Sequence, residues 1–225
     1  MLKFFSQGRS LSFLTLFSVS CLSMSAYANA DLTIVKAYFT PGETTIEEID
    51  SSPNLQTTQY NFADENFNLD LIVNIGKFLW DIIQVGQATV DVKTDFANAL
   101  PVGLKVDALS NWQDPLFKTY KFTFKNFLGM RAVHFNYKVS YTHGGQYNGN
   151  GRYLANVIVV PSKIYVMWGY NLSADVTVPK VVNAGSKENP IAGMQLHLHW
   201  KISSIFSTEE NTKAYYVRGD GAFSH

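Results

Sequence analysis

The sequence predicts a mainly β protein, a single-domain antiparallel β-sandwich or open barrel with one amphipathic helix packed on it. Three observations carry that class. Apolar and polar residues alternate with period two in three well-separated stretches, the mark of strands with one dry face. A Gly- and Asn-rich stretch, Gly144–Gly151, separates two strand patterns as a hairpin loop does. Only one segment has the three- and four-residue spacing of a helix.

The chain opens with an address rather than with a structural element. Lys3 and Arg9 make a basic start, and Leu11–Val19 is a short apolar run. Ala28-Asn29-Ala30 supplies the small-x-small pattern of a cleavage site. Residues 1–30 read as a secretory signal peptide cleaved after Ala30, too short and wrongly flanked to span a membrane. The chain is thus expected to be exported, to the periplasm or the cell exterior, with outer-membrane association a further option. Cys21 is the only cysteine. Lipidation there would make it the mature N-terminus, but Ser18 stands where a lipobox carries Leu. Cleavage after Ala30 leaves no cysteine, so the mature fold rests on its core rather than on disulfides.

The mature chain reads as one β-rich domain, 31–225, with no repeat and no linker to divide it. Leu32–Phe39 reads as a first strand. An acidic segment, 37–76, follows, with seven acids and no base between Lys36 and Lys77. A helix is expected over about 67–84, where Leu69, Ile72, Val73, Gly76, Leu79, Trp80, Ile82 and Ile83 fall at helical spacing. Thr89–Thr94 is the next strand. The three alternating stretches are Thr119–Lys125, Val133–Tyr141 and Met194–Ile202. Gly144–Gly151 reads as a hairpin loop. Val157–Val160 looks like a strand buried on both faces and Ile164–Trp168 nearly so, and Asp175–Val178 and Ala214–Arg218 complete the set. A transmembrane barrel is the rival all-β solution, because its strands alternate too. The helix, the doubly apolar Val157–Val160 run and a chain end without a terminal aromatic argue against it.

Composition narrows function more than any motif does. With 46% hydrophobic and 14% aromatic residues the chain is not disordered. Its 18 bases match its 18 acids, which gives no ground for nucleic-acid binding. No later segment reaches the 18 apolar residues of a membrane helix, so no transmembrane segment is expected after signal removal. Nucleophile-elbow, zinc-protease and phosphate-loop patterns are missing. A non-enzymatic binding or interaction module is the leading expectation, with a protein, a glycan or an anionic ligand as partner. No cofactor is required by it.

Three sets of residues stand out as candidate sites. His197 and His199 share one face of a strand, as paired imidazoles do in some zinc sites, and His134 on another strand is the third candidate ligand. They support an alternative reading as a metal-binding protein or metal-dependent hydrolase, and the same residues also suit an ordinary solvated face. Lys121, Lys125, Lys138 and Lys201 collect on polar strand phases without an acid among them. They suggest a basic face met either by the acidic N-terminal segment or by an anionic partner. Trp112, in the Asn111–Pro115 turn, and Tyr147 fall outside the dry strand phases and suit stacking against a sugar, the reading of a carbohydrate-binding module. Asp64, Asn66, Asn68 and Asp70 have the alternation of a calcium loop, but Leu69 stands where the loop needs Gly.

Overall fold

A computed structural model describes residues 31–57, 72–76, 78–85 and 91–225. The expected signal peptide, 1–30, and the Asp64, Asn66, Asn68 and Asp70 positions lie outside the described residues. The strands divide into two sheets packed face to face, an antiparallel β-sandwich that does not close into a barrel. One sheet comprises β1 (Pro41–Ser51), β3 (Ile72–Ile75), β6 (Ala97–Pro101), β7 (Leu116–Asn126), β8 (Arg131–Tyr147) and β9 (Asn150–Val166). Their order is β1-β7-β8-β9-β6-β3. The other comprises β2 (Gln56–Thr57), β4 (Phe78–Val85), β5 (Asp91–Thr94), β10 (Asn171–Asn183), β11 (Ala192–Ser203), β12 (Thr208–Arg218) and β13 (Ala222–Ser224). Here the order is β2-β13-β12-β11-β10-β4-β5, and among the described strands only β2 and β13 run parallel.

The alternating stretches become β7, β8 and β11, and their dry phases form the core. Tyr120, Phe122 and Phe124 of β7 face the interior beside Val133, Phe135, Tyr137 and Val139 of β8. Aromatic rings then lock the sheets together. Phe122 stacks on Phe135 at 4.7 Å and meets Trp200 of β11 edge-on at 5.2 Å, while Trp80 of β4 meets Phe135 at 6.2 Å. Each such ring contributes roughly 2–3 kcal/mol by leaving water. The hydroxyls of Tyr137 and Tyr215 pair with each other across the sandwich, one donating and the other accepting, so each buried oxygen has a partner without water.

Four expectations are corrected. The helix expected over about 67–84 is strand where it is described, as β3 and β4, apart from the irregular Gly76. Trp80 and Ile82 alternate into the core as strand residues do, while Leu79 on the opposite phase is also buried. Apolar residues on both phases satisfy helical spacing as well, and pairing of β4 with β10 decides the outcome. Leu32–Phe39 is helix rather than strand. This helix, α1 over 31–39, pairs with none of the described strands, and its last carbonyls, of Tyr38 and Phe39, accept from Asn126 and Ser204. Val157–Val160 is buried on one face only, because Val160 is exposed. The Gly144–Gly151 loop is also shorter than expected. Strand pairing runs on to Tyr147 and Asn150, and the turn is Asn148-Gly149 alone. Both turn residues have positive φ, at 50° and 78°, as a two-residue hairpin turn requires.

Candidate functional site

The β8–β9 hairpin overhangs one end of the sandwich, and two loops fold against it. The loop before β7 is pinned by paired bonds between Ser110 and Gln146, and the Gln113 amide donates to the His143 carbonyl at 2.9 Å. The β12–β13 turn is held by Gly144, whose N–H donates to the Gly219 carbonyl at 2.8 Å. Between these loops lies a cleft of about 580 Å³.

Its walls are polar with one aromatic panel. Asn111, Gln113 and Gln146 supply planar amides, Arg152 a guanidinium, and His143 and Asp220 an imidazole and a carboxylate. The amides are held in place by one another. Asn111 Nδ2 donates to Gln146 Oε1 at 2.7 Å, and Gln113 Nε2 donates to the Asn111 carbonyl at 3.1 Å. Asn111 itself sits at φ 60°, a left-handed conformation that Asn tolerates better than most residues. Asp220 accepts from Arg218 at 2.6 Å and from the Ala222 amide at 3.3 Å, so its position is set by its own turn. Burial holds the His143 imidazole below its ordinary pKa, against the opposing pull of the Gly219 carbonyl and Asp220.

Trp112 forms the aromatic panel. Its indole lies directly on Gly145, where any Cβ would fall within the ring's contact radius. Glycine is needed there for close approach. The indole N–H is buried and has no acceptor among the described residues. A second cleft of about 320 Å³ shares Gln113, His143 and Asp220, which therefore stand on a wall between two cavities.

The residues singled out from sequence are dispersed. Trp112 lines the main cleft. Tyr147 lines a separate one of about 400 Å³ with Tyr153, Pro101 and Pro190, so the two do not make one stacking platform. His134 lies on β8, whereas His197 and His199 lie on β11 in the opposite sheet. Each alternates with buried residues, so His134 projects from one outer face and the β11 pair from the other. The three imidazoles are not brought together. Asp175 of β10 is the cross-strand partner of His199 and also of Asp81 on β4. Burial raises the Asp175 pKa, with His199 pulling it down and Asp81 pushing it up. Among the described residues no three His, Cys, Asp or Glu groups converge as a metal site.

The lysines do not form one face either. Lys121, Lys125 and Lys138 project from the outer face of the first sheet, and Lys201 from the second. The acidic segment reaches the first group through β1. Glu43 pairs with Lys125 at 2.8 Å and Glu47 with Lys121 at 3.7 Å, while Lys138 lies over the Phe117 ring at 4.4 Å. Lys201 pairs with Glu210 at 3.7 Å. Lys118, on the core phase, is buried and pairs with Glu48 at 2.8 Å. The Lys118 hydrogen bond holds the Glu48 carboxyl below its usual range.

Arg152 and Asp220 are cleft residues that spacing alone does not single out as a site, because only the fold brings them to His143. No family model matches the sequence, and comparison with curated proteins and with solved structures returns no match.

Proposed function

We propose that this protein is an exported, non-enzymatic binding module whose polar end takes a glycan in the Trp112 cleft. One observation carries the reading. A single indole panel is set among fixed amides, a guanidinium and a carboxylate in a cavity of about 580 Å³. Sugars offer apolar C–H faces that stack on such a panel, and hydroxyls that bond to planar polar side chains in pairs. Mutual hydrogen bonding of Asn111, Gln113 and Gln146 fixes their geometry before a ligand arrives, which lowers the entropy cost of binding. Export rests on the leader read from residues 1–30, which brings the module to where glycans are displayed.

A glycan array probed with the full chain and with Trp112→Ala tests this. Selective binding should fall at least tenfold in the variant, about 1.4 kcal/mol or more. An array without hits, or hits that persist unchanged in Trp112→Ala, overturns the proposal.

A further inference from the structure

The end of the sandwich opposite the cleft has a different chemistry. Trp168, in the β9–β10 turn, is 73% exposed. Phe127, in the β7–β8 turn, is 70% exposed, and Ile205 and Phe206 project from the β11–β12 turn. Single exposed hydrophobic residues are ordinary, whereas a cluster is not. These belong to one cluster, because Val133 lies opposite Val166 in one sheet and Asn171 opposite Ser203 in the other. α1 and Thr40, the residue after it, tie the turns together. The Tyr38 hydroxyl donates to the Trp168 carbonyl at 3.1 Å, Phe39 lies 5.8 Å from Phe206, and the Phe127 N–H donates to the Thr40 carbonyl at 2.8 Å. The outer part of α1 exposes Leu32, Ile34 and Val35 as well.

We infer that this end docks into a lipid surface, with the three turns as its inserting tips. Two independent features fit that medium. The turns at 127–130, 167–170 and 204–207 contain no charged residue, so no ion loses its hydration on entry. Their backbone donors are also largely satisfied from within. Gly129 donates to the Asn126 carbonyl at 2.9 Å, Met130 to Asn126 Oδ1 at 2.9 Å, and Tyr170 to the Met167 carbonyl at 3.1 Å. Ser204 donates to the Ser207 carbonyl at 2.8 Å, and Ser207 donates back to Ser204 Oγ at 3.2 Å. Hydrocarbon tolerates backbone only in that condition.

Charge favours a bilayer over a second copy. Lys36 and Arg131 are exposed just behind the tips, where they reach anionic headgroups. Of the acids at this end, Glu43 is taken by Lys125 and Glu210 by Lys201, Glu209 accepts from the Thr44 hydroxyl, and Asp31 stands at the far end of α1. A two-fold contact through this end would set the same bases against each other.

The test uses the full chain and vesicles of phosphatidylethanolamine and phosphatidylglycerol, with and without bromine on the acyl chains. Brominated lipid should quench the Trp168 emission, and that quenched component should be missing from Trp168→Phe. Phe127→Ser combined with Ile205→Ser should melt like the parent, yet need at least tenfold more lipid for half-maximal quenching. Vesicle-bound protein with Trp168 unquenched overturns the inference. So does quenching unchanged in the double variant, or a dimer that the double variant abolishes while the parent shows no quenching.

Discussion

At one end of this sandwich the turns present Phe127, Trp168 and Ile205 to solvent, and at the other the loops present Asn111, Gln113, Arg152 and Asp220. Both ends are built on the same strands. Neither set of side chains is demanded by them. The β7–β8 turn is held by Asn126, whose side chain donates to the Tyr38 carbonyl and accepts from the Met130 amide. Polar residues at positions 127 and 128 would leave that scaffold intact. At the opposite end Trp112 stands on Gly145, an arrangement that buries an indole donor without an acceptor among the described residues. The fold explains the core, and the ends carry residue types that the fold does not require. That contrast is where function is to be sought.

The largest effect separating the ends should come from Phe39→Ala. Phe39 is buried and packs against Tyr38, Tyr170 and Phe206, so it wedges α1 onto the apolar turns. Its loss should cost about 3 kcal/mol in chemical denaturation. Glycan binding at the far end should survive wherever the variant is folded.

Gly145→Ala probes the polar end in the complementary way. Its Cβ must push the Trp112 ring aside, at a cost of roughly 1–3 kcal/mol. Array binding should vanish, and Trp168 quenching by brominated lipid should be unchanged.

Acidity sharpens the contrast more gently. Burial holds His143 below its ordinary pKa, and does the same to His134, His197 and His225. A lowered folded-state value means that the unfolded chain binds more protons just below pH 6.5. This contribution to stability is therefore complete above pH 6.5 and is lost as pH falls toward the folded-state values. Calorimetry should show the melting temperature dropping over that window, with a shallower slope in His143→Asn. Glu48, held low by Lys118, should add a second decline below its ordinary value of 4.5.

The smallest effect is expected on the sheet faces. Lys201 and Glu210 are exposed and 3.7 Å apart, so Lys201→Ala should change stability by less than about 0.5 kcal/mol.

Legibility of these features in the sequence followed the range of the forces behind them. Thr119–Lys125, Val133–Tyr141 and Met194–Ile202 are readable because alternation is local and one face is dry. The stretch now seen as β3 and β4 misleads because both its phases are apolar, and only pairing with other strands, β6 for β3 and β10 and β5 for β4, settles its conformation. α1 misleads for the opposite reason, since Leu32, Ile34 and Val35 look like strand residues but pair with none of the described strands. Trp112 is conspicuous in its turn, yet its seat on Gly145 and its neighbours Arg152 and Asp220 come from elsewhere in the chain. Nothing local indicates that His134 and His197 belong to different sheets.

The most direct test reads both ends in one spectrum. Each of the four tryptophans has an indole N–H, and Trp80 and Trp200 are buried controls. An indole ¹H–¹⁵N titration with an oligosaccharide selected on the array should shift Trp112 and leave Trp168 in place. A glycan that shifts Trp168 instead, or that binds without moving Trp112, would contradict the assignment of the polar end as the binding site.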